Sequence, residues 1–363
     1  MFQTDMSNKL TLLIDGNWLC QSRTAVMMDG FLKENTEEHK QQSQSELKDL
    51  LAKSINVMLN RFPTITNIVL VADGGSWRKQ LPIPKSLEDI VYKGNRTQTN
   101  EIDWQYIYGA LRNLTDMCKG LGITVSQHPN IEGDDWIWYW SRRLNAEDTN
   151  CLIWSSDNDL KQLVQVDQKT HAFTAWYNDK NGLWLPDFLQ QNTDDIDFFF
   201  KFEYFSPVLE SLKTPSKSTN YINPDSIITS KVICGDAGDN IMSVFRYQKN
   251  GRNYRITEKE WDKIAIEYNI DTITSLLQHT TTIADAISSQ SKYRIYTPDR
   301  DRIEEMIKYN IKLVWLNEYS IPDTIIQLMN QQEYKSFDIS YIKSNYKVLV
   351  GVDSAVEDLF NSI

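Results

Sequence analysis

Short apolar runs that each stop at an acidic residue constrain this chain more than any other feature. Lys9-Leu10-Thr11-Leu12-Leu13-Ile14 ends at Asp15-Gly16-Asn17, and Asn67-Ile68-Val69-Leu70-Val71-Ala72 ends at Asp73-Gly74-Gly75. Asn150-Cys151-Leu152-Ile153-Trp154 ends at Ser155-Ser156-Asp157-Asn158-Asp159, and Gly122 to Ser126 leads to Ile131-Glu132-Gly133-Asp134-Asp135-Trp136. Runs this short with so little polar alternation suit strands buried on both faces, the habit of parallel sheets. Between them lie helical patterns. Glu46 to Phe62 carries Leu47, Leu50, Leu51, Ile55, Met58 and Leu59 at helical spacing; Trp104 to Leu121 is amphipathic; and a mostly buried helix follows Asp135. Alternating strands and helices predict an α/β fold with a mainly parallel central sheet flanked by helices. Ligands of such sheets bind outside the carboxyl ends of the strands, where these acids fall.

Each acid alone has a plainer reading. Acids in a first helical turn suit the helix dipole, and Asp15 or Asp73 can satisfy a turn. As a set, adding Gly235-Asp236-Ala237-Gly238-Asp239-Asn240-Ile241, they imply a common pocket. Asp15, Asp73, Glu132, Asp134, Asp135, Asp157, Asp159, Asp236 and Asp239 could not all stay ionised close together without cations. Oxygen ligands without Cys or His select Mg²⁺, with Mn²⁺ able to substitute. Two such ions about 3.5–4 Å apart suit phosphodiester hydrolysis. The chain shows no nucleophile triad and no GxxxxGKS-type phosphate loop.

The net charge of −11 speaks against nucleic acid only if the acids are spread out; gathered around cations, they leave the basic residues to decide. Bases cluster at Arg78, Lys79, Lys85, Lys93 and Arg96, in a weakly periodic excursion containing Pro82 and Pro84, and again at Arg246, Lys249, Arg252, Arg255, Lys259 and Lys263. Otherwise the second cluster is a solvated helix face. Four cysteines without paired spacing read as buried free thiols, and four histidines show no metal-ligand spacing. Trp136 and Trp140, four apart, read as core, and His128 as structural. With no basic-apolar leader and no apolar run near twenty residues, the expectation is a cytoplasmic protein without membrane contact. Residues 171–177 and 183–185 predict a hairpin. The expected division is an α/β domain over 1–193 with a bridge at about 76–106, an insertion or linker over 194–224, and a smaller helical domain over 225–363. The final helix, Ala355 to Ile363, is expected to dock on its own domain.

Ile14-Asp15-Gly16-Asn17, Ala72-Asp73, Tyr92-Lys93-Gly94-Asn95-Arg96, Glu132-Gly133-Asp134-Asp135, Ser156-Asp157-Asn158-Asp159 and Gly235 to Ile241 occur in the order found in the flap endonuclease / 5′-3′ nuclease family. The chain resembles that family over nearly its whole length and is most similar to its phage ribonuclease H branch, also through Trp77-Arg78-Lys79 and Leu313 to Ile326. The resemblance implies a PIN-like nuclease fold with a helix–three-turn–helix in the C-terminal domain. It implies a first metal served by Asp73, Glu132, Asp134 and Asp157, with Asp15 orienting its water, and a second served by Asp135, Asp159, Asp236 and Asp239. Lys93 and Arg96, with Arg78 nearby, would grip the scissile phosphate. Many relatives have a Gly-rich hairpin after the Asn-Ile pair; here Met242-Ser243-Val244-Phe245-Arg246 stands instead, leaving duplex grip to Arg246, Lys249, Arg252 and Arg255, and the potassium-binding role that some relatives give that hairpin is not carried over.

The function so implied is metal-dependent 5′→3′ exonuclease or flap endonuclease action on RNA primers and DNA 5′ ends, on DNA or RNA–DNA duplexes, in phage replication within the host cytoplasm. Single-strand-binding protein and a sliding clamp are the partners implied. Two alternatives stay open: a catalytically inactive structure-specific DNA-binding protein, and a PIN-type single-strand endoribonuclease.

Overall fold

In the computed structural model, which describes residues 9–84, 92–94, 101–187, 208, 211–212, 218–249, 252–289 and 300–350, the chain groups into two compact units. One comprises Met1–Gly75, Thr99–Ile222 and Gln327–Ile363; the other comprises Ser76–Gln98 and Asn223–Ile326. This grouping differs from the expected division at both ends of the second unit. Residues 76–98 cluster with the helical unit, and residues from 327 onward return to the α/β unit.

The first unit is built on β1 (Leu10–Asp15), followed by helices α1 (Gly16–Thr24) and α2 (Glu37–Arg61). Then come β2 (Ile65–Val71), α3 (Trp104–Gly120), β3 (Thr124–Ser126), α4 (Gly133–Ala146) and β4 (Asn150–Trp154). Short β5 (Gln165–Val166), β6 (Phe173–Asn178), β7 (Gly182–Pro186) and β8 (Thr219–Ile222) complete the sheet. Its order is β3-β2-β1-β4-β6-β7-β8, with β5 against β6. The pairs from β3 across to β6 are all parallel, whereas β6 and β7 form the expected antiparallel hairpin. β8 is a correction to the sequence reading. It falls in the stretch expected as insertion or linker, yet it pairs parallel with β7.

β1 is apolar on both faces because both faces are covered. Leu10, Leu12 and Ile14 enter the core shared with α1, α2 and α3. By the strand's two-residue period, Leu13 points to the other side, where α4 packs and Trp140 donates from Nε1 to Ser126 Oγ at 2.8 Å. Trp136 and Trp140 are buried, and all four cysteines are buried and free, as expected. α2 begins nine residues before its apolar pattern does. Thr36 caps it, and the buried Lys40 in its polar first turns is paired with Glu37 and Asp103.

The end of the described chain fastens to this unit. The Tyr334 hydroxyl accepts from Asn67 Nδ2 at 2.7 Å and bonds Thr11 Oγ1, while Lys335 N–H donates to Thr124 Oγ1 at 2.8 Å. The expected terminal helix at 355–363 lies outside the described residues.

The second unit runs through α5 (Pro224–Cys234), β9 (Arg246–Lys249), β10 (Arg252–Arg255), α6 (Glu258–Glu267), α7 (Ile273–Gln278), α8 (Thr280–Ser289) and α9 (Arg300–Val314). Its core gathers Val232, Ile233, Phe245, Ile256, Trp261 and Leu276 with Ile303 and Ile307. Buried Asn310 crosslinks it, donating from Nδ2 to the carbonyls of Val232 and Met242. Among the described residues no helix is long and apolar enough to cross a membrane.

Candidate active site

The chain order β1, β2, β3 moves outward in one direction, and β4 then returns to the other side of β1. The reversal between β1 and β4 is a topological switch point, where a parallel sheet leaves a crevice at its carboxyl end. Asp15 closes β1 on this line. The same residue caps α1, its Oδ1 accepting from Trp18 N–H at 2.9 Å. Its Oδ2 accepts from the Ser155 hydroxyl across the switch point at 2.8 Å. Ser155 Oγ in turn accepts the N–H of Asp157 at 3.0 Å, and Asp157 Oδ1 accepts the N–H of Asp159 at 2.9 Å. A chain of short bonds thus fixes Asp15, Ser155 and Asp157 relative to one another.

Burial raises the Asp15 carboxyl to about 7, the hydrogen bonds from Trp18 and Ser155 oppose the shift, and the negative charges of Asp73 and Asp157 add to it. These three aspartates therefore share one electrostatic field.

Asp73, just past β2, is exposed and sits at the start of α4. Its Oδ1 accepts Gly133 N–H at 2.6 Å, and its own N–H donates to Asn17 Oδ1 at 2.9 Å. A side chain at Gly133 would come within 3.0 Å of that Oδ1, so the glycine of Glu132-Gly133-Asp134-Asp135 is what admits the carboxylate to the helix N-terminus. Glu132 and Asp135 form a reciprocal capping box there, with Asp135 Oδ2 accepting Glu132 N–H at 3.3 Å. Asp135 is fully buried, whereas Asp134 is partly open. Among the described residues, no three His, Cys, Asp or Glu side chains already stand together at metal-holding range. The acids of this unit share a field and an edge, not a preformed cage.

The other expected residues lie in the second unit. After α5 the backbone turns at Gly235 (φ +75°), where a Cβ would meet Ser243 N at 2.4 Å and Ile241 O at 2.5 Å, so no side chain fits. Asp236 and Ile241 then close a loop by exchanging two backbone bonds. Asp236 is partly buried, which pushes its carboxyl up. The 2.6 Å bond and charge of Lys231, with the N–H groups of Gly238 and Asp239, outweigh this and hold it below its ordinary value. Asp239 accepts from the Tyr92 hydroxyl at 3.4 Å and stands 3.8 Å from Lys93 Nζ. Lys93 adopts a left-handed backbone (φ 55°), and its N–H donates to Asp239 O at 2.8 Å.

Arg78 departs from expectation. It is 2% exposed, its Nε donates to Leu313 O at 3.1 Å, and its guanidinium lies 4.5 Å from the Trp77 ring centroid. A buried guanidinium committed to a carbonyl and an indole face braces the fold, a role other than the phosphate contact expected of it. Lys79 and Arg255 are exposed, and Arg96 lies outside the described residues. The basic stretch is not a helix at its start: β9 and β10 pair Arg246 opposite Arg255 and Lys249 opposite Arg252.

Sequence reasoning missed Ser155 and Asn17, which tie Asp15 and Asp73 into place. The signal available was position alone, each lying one or two residues from a strand end.

Residues 11–188 match the family described as 5′-3′ exonuclease, N-terminal resolvase-like domain. A 5′-3′ exonuclease of Mycoplasmopsis pulmonis is 23% identical over 270 residues, covering 73% of each chain. Among solved structures, the T5 5′-exonuclease with bound zinc ions is similar over 92% of this chain and 99% of that one, at 18% identity and TM-score 0.52. The bacteriophage T5 flap endonuclease in a pseudo-enzyme–product complex with DNA and metal ions is similar over 94% of this chain and 100% of that one, at 16% identity and TM-score 0.53.

Proposed function

Residues 11–188 match the 5′-3′ exonuclease N-terminal resolvase-like domain family, and from that premise we propose that the chain is a divalent-metal-dependent nuclease cutting 5′ ends and 5′ flaps of DNA and RNA–DNA duplexes. The observation that carries this reading is the shared field of Asp15, Asp73 and Asp157 at the carboxyl ends of adjacent parallel strands, on the switch point. The donor set fits a hard cation: carboxylates, one hydroxyl, and no thiol or imidazole. On the resemblance, Asp73, Glu132, Asp134 and Asp157 are assigned to one ion and Asp135 and Asp159 to the other, for which the resemblance also names Asp236 and Asp239. Bound there, two Mg²⁺ ions would supply an activated water and charge stabilisation for the departing oxygen.

The chain's own groups do the rest. Asp15, oriented by Trp18 and Ser155, holds or accepts the proton of the attacking water. Lys93 leaves its contact with Asp239 to meet the scissile phosphate, and Arg96 is assigned the same task. The resemblance assigns the duplex grip to Arg246, Lys249, Arg252 and Arg255, basic residues suited to a polyanion that fall on β9 and β10. RNA-primer removal in phage replication, a host-cytoplasmic setting, and a sliding clamp and single-strand-binding protein as partners rest on the resemblance alone.

The test is cleavage of a labelled 5′-flap duplex with Mg²⁺ and with EDTA, beside Asp134→Asn and a single-stranded RNA control. Flap cutting that needs Mg²⁺ and falls more than about 100-fold in the variant, with binding kept, is expected; even outer-shell partners of a metal act on that scale. Binding without cutting would make the chain an inactive DNA-binding protein. Preferential cutting of single-stranded RNA would make it an endoribonuclease.

A further inference from the structure

A cavity of about 390 Å³ opens on the first unit between α1, α2 and the turn after β6. The basic residues Arg23, Lys53 and Arg61 line it against a single acid, Asp179, in a chain whose net charge is −11. Lys53, Val57 and Arg61 recur along one stripe of α2. Val57 is 48% exposed at the rim, and Trp154 is buried beneath.

The two guanidiniums are held in place. Arg61 Nη1 is 2.9 Å from Asp179 Oδ1 and donates to the Tyr177 hydroxyl at 2.5 Å. Arg23 Nη2 is 3.4 Å from the other oxygen of Asp179, and its Nε donates to Ser54 Oγ at 2.8 Å. One carboxylate thus orients two arginines, and Lys53 is exposed with no ion pair among the described residues. The formal excess is two positive charges, with arginine forks suited to phosphate oxygens.

We propose that this cavity is a phosphate subsite that takes a backbone phosphate of the bound nucleic-acid strand a few nucleotides from the cut. This rests on the nuclease reading. Trp154 directly precedes Ser155, the partner of Asp15, and Arg23 lies in the last turn of the helix that Asp15 caps. Eight helical residues span about 12 Å, which puts the cavity within a few nucleotides of the acidic edge. The solvated-face alternative accounts for the Arg23–Asp179–Arg61 bridge but not for a third base turned into the same concavity.

The test uses the full chain in EDTA, so that binding is read without cleavage. Fluorescence anisotropy of a labelled 5′-flap duplex is measured against salt for the parent and for Lys53→Glu, with Lys53→Arg as the conservative control. Lys53→Glu is expected to weaken binding about five- to tenfold at low salt and to lower the log–log salt slope by about one, with Lys53→Arg near the parent. Unchanged affinity and slope in Lys53→Glu, with normal parental binding, would overturn the subsite and leave the nuclease reading standing. A parent that neither binds nor, with Mg²⁺, cuts the flap would overturn both. If a 5′-mononucleotide binds the parent but not Lys53→Glu while flap affinity stays constant, the pocket serves a free nucleotide and the strand placement fails.

Discussion

Asp15→Asn separates what the acidic edge does for chemistry from what it costs the fold. The carboxyl's ordinary value is 3.8, and in the metal-free protein it stands at about 7. A group whose folded value exceeds its unfolded one makes the folded state the tighter proton binder between the two. Its stabilising contribution is complete below about pH 4, is lost as pH rises toward 7, and stays lost above. A shift of about three units corresponds to about 4 kcal/mol as an upper bound. Part of it comes from Asp73 and Asp157, whose charges remain in the variant and are screened by water, so about 1–3 kcal/mol is the working figure. The amide keeps the steric fit. Its oxygen accepts from Trp18, and its NH₂ donates to Ser155.

The assay is urea unfolding in EDTA at pH 8 and at pH 4, followed by tryptophan fluorescence. That signal reports mainly the α/β unit, because of eleven tryptophans only Trp77, Trp261 and Trp315 lie in the other. At pH 8 the variant should unfold at higher urea than the parent, and at pH 4 the advantage should vanish. Mg²⁺ should raise the parent more than the variant. A variant less stable than the parent at pH 8, or an advantage independent of pH, would refute the shared-field argument.

Lys93→Ala should slow single-turnover flap cleavage by about 100-fold while changing duplex affinity little, the signature of a contact made to developing charge; an unchanged rate would remove Lys93 from the reaction. Lys249→Ala with Arg252→Ala should weaken duplex binding in a salt titration and lower the slope by about two, one for each phosphate contact removed. Arg78→Met should behave in the opposite way, leaving flap affinity unchanged and lowering stability by about 1–3 kcal/mol in urea, because it strands the Leu313 carbonyl and uncovers Trp77.

The strands that carry the site were legible because burial on both faces leaves no room for polar alternation: β1, β2 and β4 read as apolar runs and are apolar runs. Where burial is one-sided or polar, the pattern fails. Thr219–Ile222 is half-buried along its length on the sheet's edge, so nothing in its composition marks a strand. The first turns of α2 look solvated because their buried member is a lysine, made tolerable by Glu37 and Asp103, and Asp103 is 63 residues away. The basic hairpin read as a possible helix face because arginines and lysines carry no period when the strand's pairing partner is another basic strand.

The aspartates were legible for a related reason. Asp15 is placed by two local rules at once, the end of a buried strand and the cap of the next helix, so position alone selects it. Ser155 obeys no such rule. Its role exists only because β1 and β4 align Ile14 with Trp154, which sets the next residue of each strand side by side across the switch point. Removing its hydroxyl therefore probes pairing and chemistry together. Ser155→Ala takes away a donor that lowers the Asp15 carboxyl and the acceptor for Asp157 N–H. The Asp15 carboxyl should then rise further, and cleavage by Ser155→Ala should shift its acid limb to higher pH than the parent's. A pH–rate profile with an unmoved acid limb would show that the hydroxyl only braces the loop.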